Sequence, residues 1–187
     1  YPLVRGVRMQ LHWHDNPLYR FAASAELCSD PNIRANVARL ADYGWSFDLQ
    51  VFARQMEGAA ALAESCPSIT FILQHAGMLE DLSPAGRDEW RSGMQRLAAC
   101  SNVVSKLSGL GTFIRRNDPA HVAGIARETI GLLGAERCLF GSNFPIEKLW
   151  TDYRALVDGY EAAIKHLDEH AHAQVMGETA RRVYRLG

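Results

Sequence analysis

Five short apolar runs, each followed by a longer amphipathic stretch, set the range of folds open to this sequence. Residues 4–11 (VRGVRMQL), 46–52 (SFDLQVF), 69–74 (ITFILQ), 102–107 (NVVSKL) and 137–140 (RCLF) read as strands. Helix signals fill the gaps. Asp30-Pro31, Ser83-Pro84 and Asp118-Pro119 each supply an N-cap followed by proline at the first helical position. Ile33, Val37, Leu40 and Ala41 follow the first cap at helical spacing, and Gly44 stops that helix. An Ala- and Leu-rich helix over 54–65 ends before Pro67. Trp90, Met94 and Leu97 mark the next helix, and Val122, Ile125 and Leu133 mark one that Gly134 closes. Two helices, over 150–168 and 171–185, finish the chain. Strands alternating with helices predict a parallel α/β sheet, because parallel pairing needs a crossover. A doubly wound open sheet and part of a barrel both satisfy this pattern, and five strands cannot close a barrel alone.

Composition narrows the partners. The 187 residues are 48% hydrophobic, enough for one globular core and too few for two ordinary domains. A formal net charge of −1 without a basic stripe argues against nucleic acid. No apolar run reaches the ~18 residues of a membrane span, so no membrane partner is expected, and a small-molecule substrate stays open as the partner. Cys28, Cys66, Cys100 and Cys138 lie far apart and form no C-x-x-C pair, which predicts reduced, mostly buried thiols and a cytoplasmic protein. The chain starts at Tyr1 with no initiator Met and no signal-peptide pattern, the expectation for a fragment or a processed chain.

In parallel α/β folds the chemistry sits at the C-terminal ends of the strands. Polar residues stand at every such end here. The first run closes on Gln10, His12 and His14, three candidate substrate-binding residues. The two histidines are two apart, so on a continuing strand they would share a face, as a pair of metal ligands could. The alternative is one packed histidine and one solvated one. His75 follows a wholly apolar strand and precedes Ala76-Gly77, and a histidine there can polarise a carbonyl, move a proton or bind a metal. Lys106 interrupts the fourth run, where a buried lysine needs a partner or a task. It either stabilises an oxyanion or a substrate carboxylate, or forms an ion pair, with Asp48 a candidate. Arg8, inside the first run, invites the same two readings. Arg115 and Arg116, after Gly109 and Gly111, read as a solvated loop, with binding of an anionic substrate the alternative. Asn143, in the Gly-Ser-Asn-Phe-Pro turn after the fifth run, can hydrogen-bond substrate or water or simply suit the turn. There is no G-x-S-x-G elbow, no H-E-x-x-H and no P-loop.

The segments GVRMQLHWHDNPLYRFA, FILQHAGMLEDLS, NVVSKLSGLGTF and CLFGSNFPIEKLWTDY, with the closing ARRVYRL, resemble the amidohydrolase-related proteins. These are described as metal-dependent hydrolases of the TIM-barrel fold and are similar to 2-pyrone-4,6-dicarboxylate lactonases and L-fucono-lactone hydrolases. The resemblance implies that residues 1–187 are one partial TIM-barrel domain, the C-terminal five β/α units of a (β/α)8 barrel without its N-terminal strands. It implies hydrolysis of a lactone or related carboxylic ester of a small sugar acid or dicarboxylate. Other readings are a non-catalytic barrel remnant, a binding protein or a decarboxylase of the same superfamily. A fragment of this kind is expected to be inactive alone.

The resemblance also implies site roles. His75 falls where the family places a histidine after its sixth strand, a catalytic position and a metal ligand. Lys106 falls where the lactonases carry a basic substrate-binding group, and Arg8 lies near the lactonase arginines that hold substrate carboxylates. His12 and His14 are not the family's H-x-H pair, which follows the first barrel strand. The wider superfamily ends its eighth strand with an Asp where this chain has Asn143. A neutral amide holds a cation less well and takes no proton from water, so either another carboxylate, such as Asp15 or Asp48, acts as base or this branch hydrolyses differently. One divalent metal such as zinc and metal-independent catalysis are equally open.

Overall fold

A computed structural model describes residues 3–187. Five parallel strands form one sheet in the order β1-β2-β3-β4-β5: β1 (Gly6–Gln10), β2 (Ser46–Gln50), β3 (Phe71–Leu73), β4 (Val103–Leu107) and β5 (Cys138–Phe140). Each connection runs through helix: α1 (Pro31–Ala38), α2 (Met56–Ser65), α3 (Pro84–Ala99) and α4 (Pro119–Leu133). The chain ends in α5 (Tyr153–Ile164), α6 (Glu169–Ala173) and α7 (Thr179–Tyr184). The proline-led starts behave as the sequence predicts. Asp30, Ser83 and Asp118 each accept a backbone N–H of the first helical turn.

The ladders are shorter than the apolar runs. In β2 the pairing stops at Gln50, although Val51 and Phe52 remain fully buried. The neighbouring β3 leaves the sheet after Leu73 and turns sharply through Gln74–Gly77, so Val51 and Phe52 have no strand beside them. The final helices also differ in their bounds. Trp150 is held by Glu147 before α5 starts, and Asp152 caps that helix through Ala155 N. Asp168 caps α6, which joins α7 through a π-helical turn at Gln174–Glu178 rather than by an uninterrupted α-helix.

The two faces of the sheet do different work. Phe47, Leu49, Phe71, Leu73, Val103 and Leu107 point to one face and join the main core with the helices. Residues one step away point to the other face. There Arg8, Asp48, Ile72 and Val104 stand side by side in register, and Lys106 pairs with Leu139. The lower part of this face is a small apolar cluster of Ile72, Val104 and Leu139, covered by Ala180, Val183 and Tyr184 of α7. Its upper part is polar. Period-two alternation puts Arg8, on the exposed edge strand β1, and Lys106, in the otherwise buried β4, on this face.

All four cysteines are buried and unpaired. Among the described residues no helix is long and apolar enough to cross a membrane.

Candidate active site

The polar end of the second face opens into a cavity of about 440 Å³, with Arg8, Gln10, His12, Gln50, His75 and Asn143 in its wall. A neighbouring hollow of about 360 Å³ shares Arg8, His75 and Asn143 and adds Lys106 and Ser108. The structure therefore brings Arg8, Gln10, His12, His75, Lys106 and Asn143 together at one end of the sheet.

His75 occupies a turn built almost wholly of left-handed residues: His75 at φ 55°, Ala76 at φ 47°, Gly77 at φ 74° and Met78 at φ 48°. Such backbone costs non-glycine residues about 1 kcal/mol or more each. Trp90 Nε1 donates to the Ala76 carbonyl at 2.8 Å, and Met78 N to the His75 carbonyl at 2.9 Å, which fixes the turn from behind. The turn stands the imidazole against β4, where Nδ1 lies 2.8 Å from Ser108 Oγ. With Nδ1 engaged, Nε2 is the nitrogen left for a ligand. Burial, with Arg8, Lys106 and His12 adding to it, pushes the imidazole down to about 4, so the ring is neutral near pH 7.

Arg8 is held from two strands. Its Nη2 donates to Asp48 Oδ2 at 2.7 Å and to Gln74 Oε1 at 2.8 Å, and its Nε to Asp48 Oδ2 at 3.0 Å. Asp48 is therefore the partner of Arg8 rather than of Lys106. Lys106 Nζ instead lies 5.1 Å from the centre of the Tyr184 ring, a cation–π seat supplied by α7. Burial lowers the lysine's pKa, partly offset by Asp48 and reinforced by Arg8.

Asn143 sits at φ 53°, a left-handed position that asparagine tolerates well. Its Nδ2 donates to Glu147 Oε1 at 3.3 Å. Glu147 is 1% exposed and also accepts from Thr112 Oγ1 at 3.0 Å and Trp150 Nε1 at 2.6 Å. One buried carboxylate thus ties the β5–α5 loop to the β4–α4 loop.

His12 and His14 part company. The strand ends at Gln10, so their spacing does not place them on one face. Buried Gln55 accepts from Trp13 N at 2.9 Å and donates to the Leu11 carbonyl at 2.8 Å, bracing the backbone on either side of His12. The His12 ring packs against Phe21 and Phe52, and its Nδ1 is buried without a hydrogen bond. Burial pushes it down to about 4. His14 instead accepts from Asn16 N through Nδ1 and turns Nε2 to within 3.8 Å of Glu80 Oε1. Burial raises Glu80 to about 6. Asp15, one candidate base, is 69% exposed and bonded to Arg54 at 2.7 Å, and Asp48, the other, already accepts two of the three Arg8 bonds.

Three residues of this region escaped the sequence reading: Ser108, Glu80 and Glu147. Ser108 had a signal, since it follows Lys106-Leu107 and precedes a glycine at a strand end. Glu147, four residues beyond Asn143 in a loop, had none.

The described residues fit a metal poorly. No group of three or more His, Cys, Asp or Glu is placed to share a cation among them. His75 offers one nitrogen, and the group beside it is an amide already donating to Glu147.

Comparisons with known proteins agree with this architecture. The sequence matches the amidohydrolase family over residues 1–186. It is 30% identical over 186 residues to the uncharacterized protein y4mH of Sinorhizobium fredii, covering 100% of this chain and 62% of that protein. It is 29% identical over 191 residues to an L-fucono-1,5-lactonase of Burkholderia ambifaria, covering 99% of this chain and 62% of the lactonase. The chain thus spans about 62% of the length of these curated relatives. A crystal structure of an amidohydrolase from Burkholderia multivorans with bound zinc superimposes with a TM-score of 0.85 at 27% identity, covering 98% of this chain and 65% of that one.

Proposed function

The chain belongs to the amidohydrolase family, and from that premise we propose that the protein carrying it is a hydrolase that opens a lactone, or a related carboxylic ester, of a small sugar acid or dicarboxylate. The five strands are then the fourth to eighth of a (β/α)8 barrel, residues 1–187 are part of that one domain, and the polar face of the sheet lines its interior. In favour of this stand the lactonase names of relatives about 30% identical and the 0.85 TM-score to an amidohydrolase of greater length. Five strands leave two sheet edges unclosed, so catalysis is assigned to the longer protein and this chain alone is expected to be inactive. Buried free thiols support a cytoplasmic location.

One observation carries the reading: the His75 imidazole, with Nδ1 engaged by Ser108, lies among basic side chains, of which Arg8 is paired to Asp48. Arg8, Arg115 and Lys106 line the two hollows, and no Asp or Glu does. Such a lining attracts a carboxylate and stabilises the oxyanion that forms when water attacks an acyl carbon. In the proposed reaction water adds to the lactone carbonyl, the ring C–O bond breaks and a hydroxy acid leaves. Arg8, prepositioned by Asp48 and Gln74, holds a substrate carboxylate, with Gln10 and His12 beside it. Lys106 and the Nε2 side of His75 face the acyl oxygen. Asn143 offers its amide oxygen to a substrate hydroxyl or to water.

The test is hydrolysis of a panel of sugar lactones and pyrone carboxylates by the protein as encoded, with and without chelator. Turnover abolished by His75→Ala supports the reading, and chelator sensitivity decides whether zinc or another divalent cation takes part. A well-folded protein that opens none of these lactones refutes it.

A further inference from the structure

At the opposite end of the sheet a separate hollow of about 270 Å³ opens between α7 and the starts of β1, β2 and β3. Its wall includes Arg5, Arg182 and Arg185 together with Ser46, Ser68 and Thr70, and no Asp or Glu. The arginines already do structural work. Arg185 Nη1 donates to the Gly44 carbonyl at 2.6 Å and its Nη2 to the Arg5 carbonyl at 3.4 Å. Arg5 Nε donates to the Tyr184 carbonyl at 3.0 Å, and Arg182 to the Glu136 carbonyl. These bonds hold α7 under the sheet. For Arg182 and Arg185 these carbonyls satisfy donors but cancel no charge.

Neither Arg182 nor Arg185 takes part in any ion pair among the described residues. A guanidinium has five N–H donors, so each keeps several free after its carbonyl bonds. Gathering like charges around one hollow is unfavourable by Coulomb's law, and an anion between them reverses the sign of that term. The Ser68 and Thr70 hydroxyls add donors that suit tetrahedral oxygens, while Ser46 Oγ already donates to the Arg5 carbonyl at 3.3 Å. Planar, forked guanidinium groups match oxyanions better than they match any neutral ligand.

We propose that this hollow binds a small, multiply charged oxyanion: phosphate, free or carried on a larger metabolite. The site is independent of the lactone reading, since it lies at the other end of the strands and uses none of the same residues.

Isothermal titration of the protein with inorganic phosphate, and separately with glycerol 3-phosphate, tests it, with acetate at equal ionic strength as control. Saturable binding of either phosphate but not of acetate is expected. Tighter binding of the ester than of the free ion would identify a phosphorylated metabolite as the source, and the reverse would identify phosphate itself. Arg182→Gln should weaken binding about tenfold, the loss of one charge-assisted hydrogen bond. Arg182→Lys should recover part of the loss, and Ser68→Ala should cost a few-fold. Arg154→Gln, on the exposed face of α5, should leave phosphate binding unchanged. No saturable binding to the wild-type protein overturns the proposal. So does binding that survives Arg182→Gln and Ser68→Ala but disappears with Arg8→Gln, because the anion would then occupy the candidate active site.

Discussion

Gly109 approaches the His75 ring so closely that a Cβ built on it would lie 2.6 Å from Nδ1 and 3.1 Å from Asn143 Nδ2. Its φ of +62° disfavours any side chain as well. Gly109→Ala should therefore lose about 1–2 kcal/mol of stability from backbone strain alone. It should also displace His75 and Asn143, so that activity falls by a much larger factor than the melting shift explains. Thermal melting read beside lactone turnover separates the two. An alanine variant with unchanged turnover would show that the close approach is incidental.

How much of this was legible in the sequence depends on the length over which each signal acts. The five strands, the proline-led helix starts and the polar strand ends follow from periodicity and capping, which are local. Arg8 and Lys106 were visible because a charge inside an apolar run has few innocent explanations. Their partners were not. Asp48 pairs with Arg8 because β1 and β2 lie in register, and Lys106 meets Tyr184 because the last helix tucks under the sheet. Neither arrangement is encoded in any window around the residue itself. His12 and His14 would share a face only if the strand ran past Gln10; it ends there, and His12 is the packed histidine of the other reading. Glu147 was invisible because its three partners come from two different loops.

Asp48 holds Arg8 through a carboxylate that is only 15% exposed. Asp48→Asn keeps the shape and removes the charge that orients the guanidinium. The expected result is a rise in KM for a carboxylate-bearing lactone of about tenfold, the value of one charge-assisted hydrogen bond, with a smaller effect on kcat. A neutral lactone should be nearly indifferent to the change. Equal losses on both substrates would assign Asp48 to the chemistry instead.

Stability should fall on acidification. His75 and His12 are both pushed down to about 4 from the usual 6.5, so the folded state resists the protons that the unfolded chain takes up. Their contribution is complete above about pH 6.5 and is lost progressively as the pH falls toward 4. Glu80, raised to about 6, acts in the opposite sense. Its protonated form is favoured by the fold, and that contribution is lost as the pH rises through 6. Two histidines outweigh one glutamate, so the melting temperature should drop between pH 6.5 and 4.5. His12→Phe, which keeps an aromatic ring against Phe21 and Phe52, should flatten the slope. An unchanged profile would mean that His12 is not held neutral by burial.

Glu147→Gln preserves volume but replaces an acceptor shared by Thr112, Asn143 and Trp150 with a group that must present a donor to one of them. Breaking a buried network of this kind costs about 2–3 kcal/mol. The amide can also turn Asn143 around, placing its Nδ2 where its oxygen had faced the cavity. Lowered stability together with a weakened response to substrate hydroxyls, measured with deoxy analogues, is the expected pair of results. A stability loss with unaltered discrimination between hydroxy and deoxy lactones would confine Glu147 to holding the loops.

Ser108 gives the sharpest test of His75, because it is 1% exposed and its hydroxyl lies 2.8 Å from Nδ1. That contact decides how the ring is used. A hydroxyl that donates into Nδ1 leaves Nε2 carrying the proton, ready to donate to an oxyanion, whereas a hydroxyl that accepts leaves Nε2 as a proton acceptor. Ser108→Ala removes the choice and frees the ring to rotate, so kcat/KM should fall about tenfold to a hundredfold, the range for one hydrogen bond to a reacting group. The cavity left is small, and stability should change by about 1 kcal/mol. Ser108→Thr keeps the hydroxyl and should recover much of the rate. The pH profile separates positioning from packing: a positioning role moves the acid limb of kcat/KM in the alanine variant, since Nδ1 has lost the partner that helps set its protonation. A rate unchanged across the whole pH range would mean that His75 acts without Ser108.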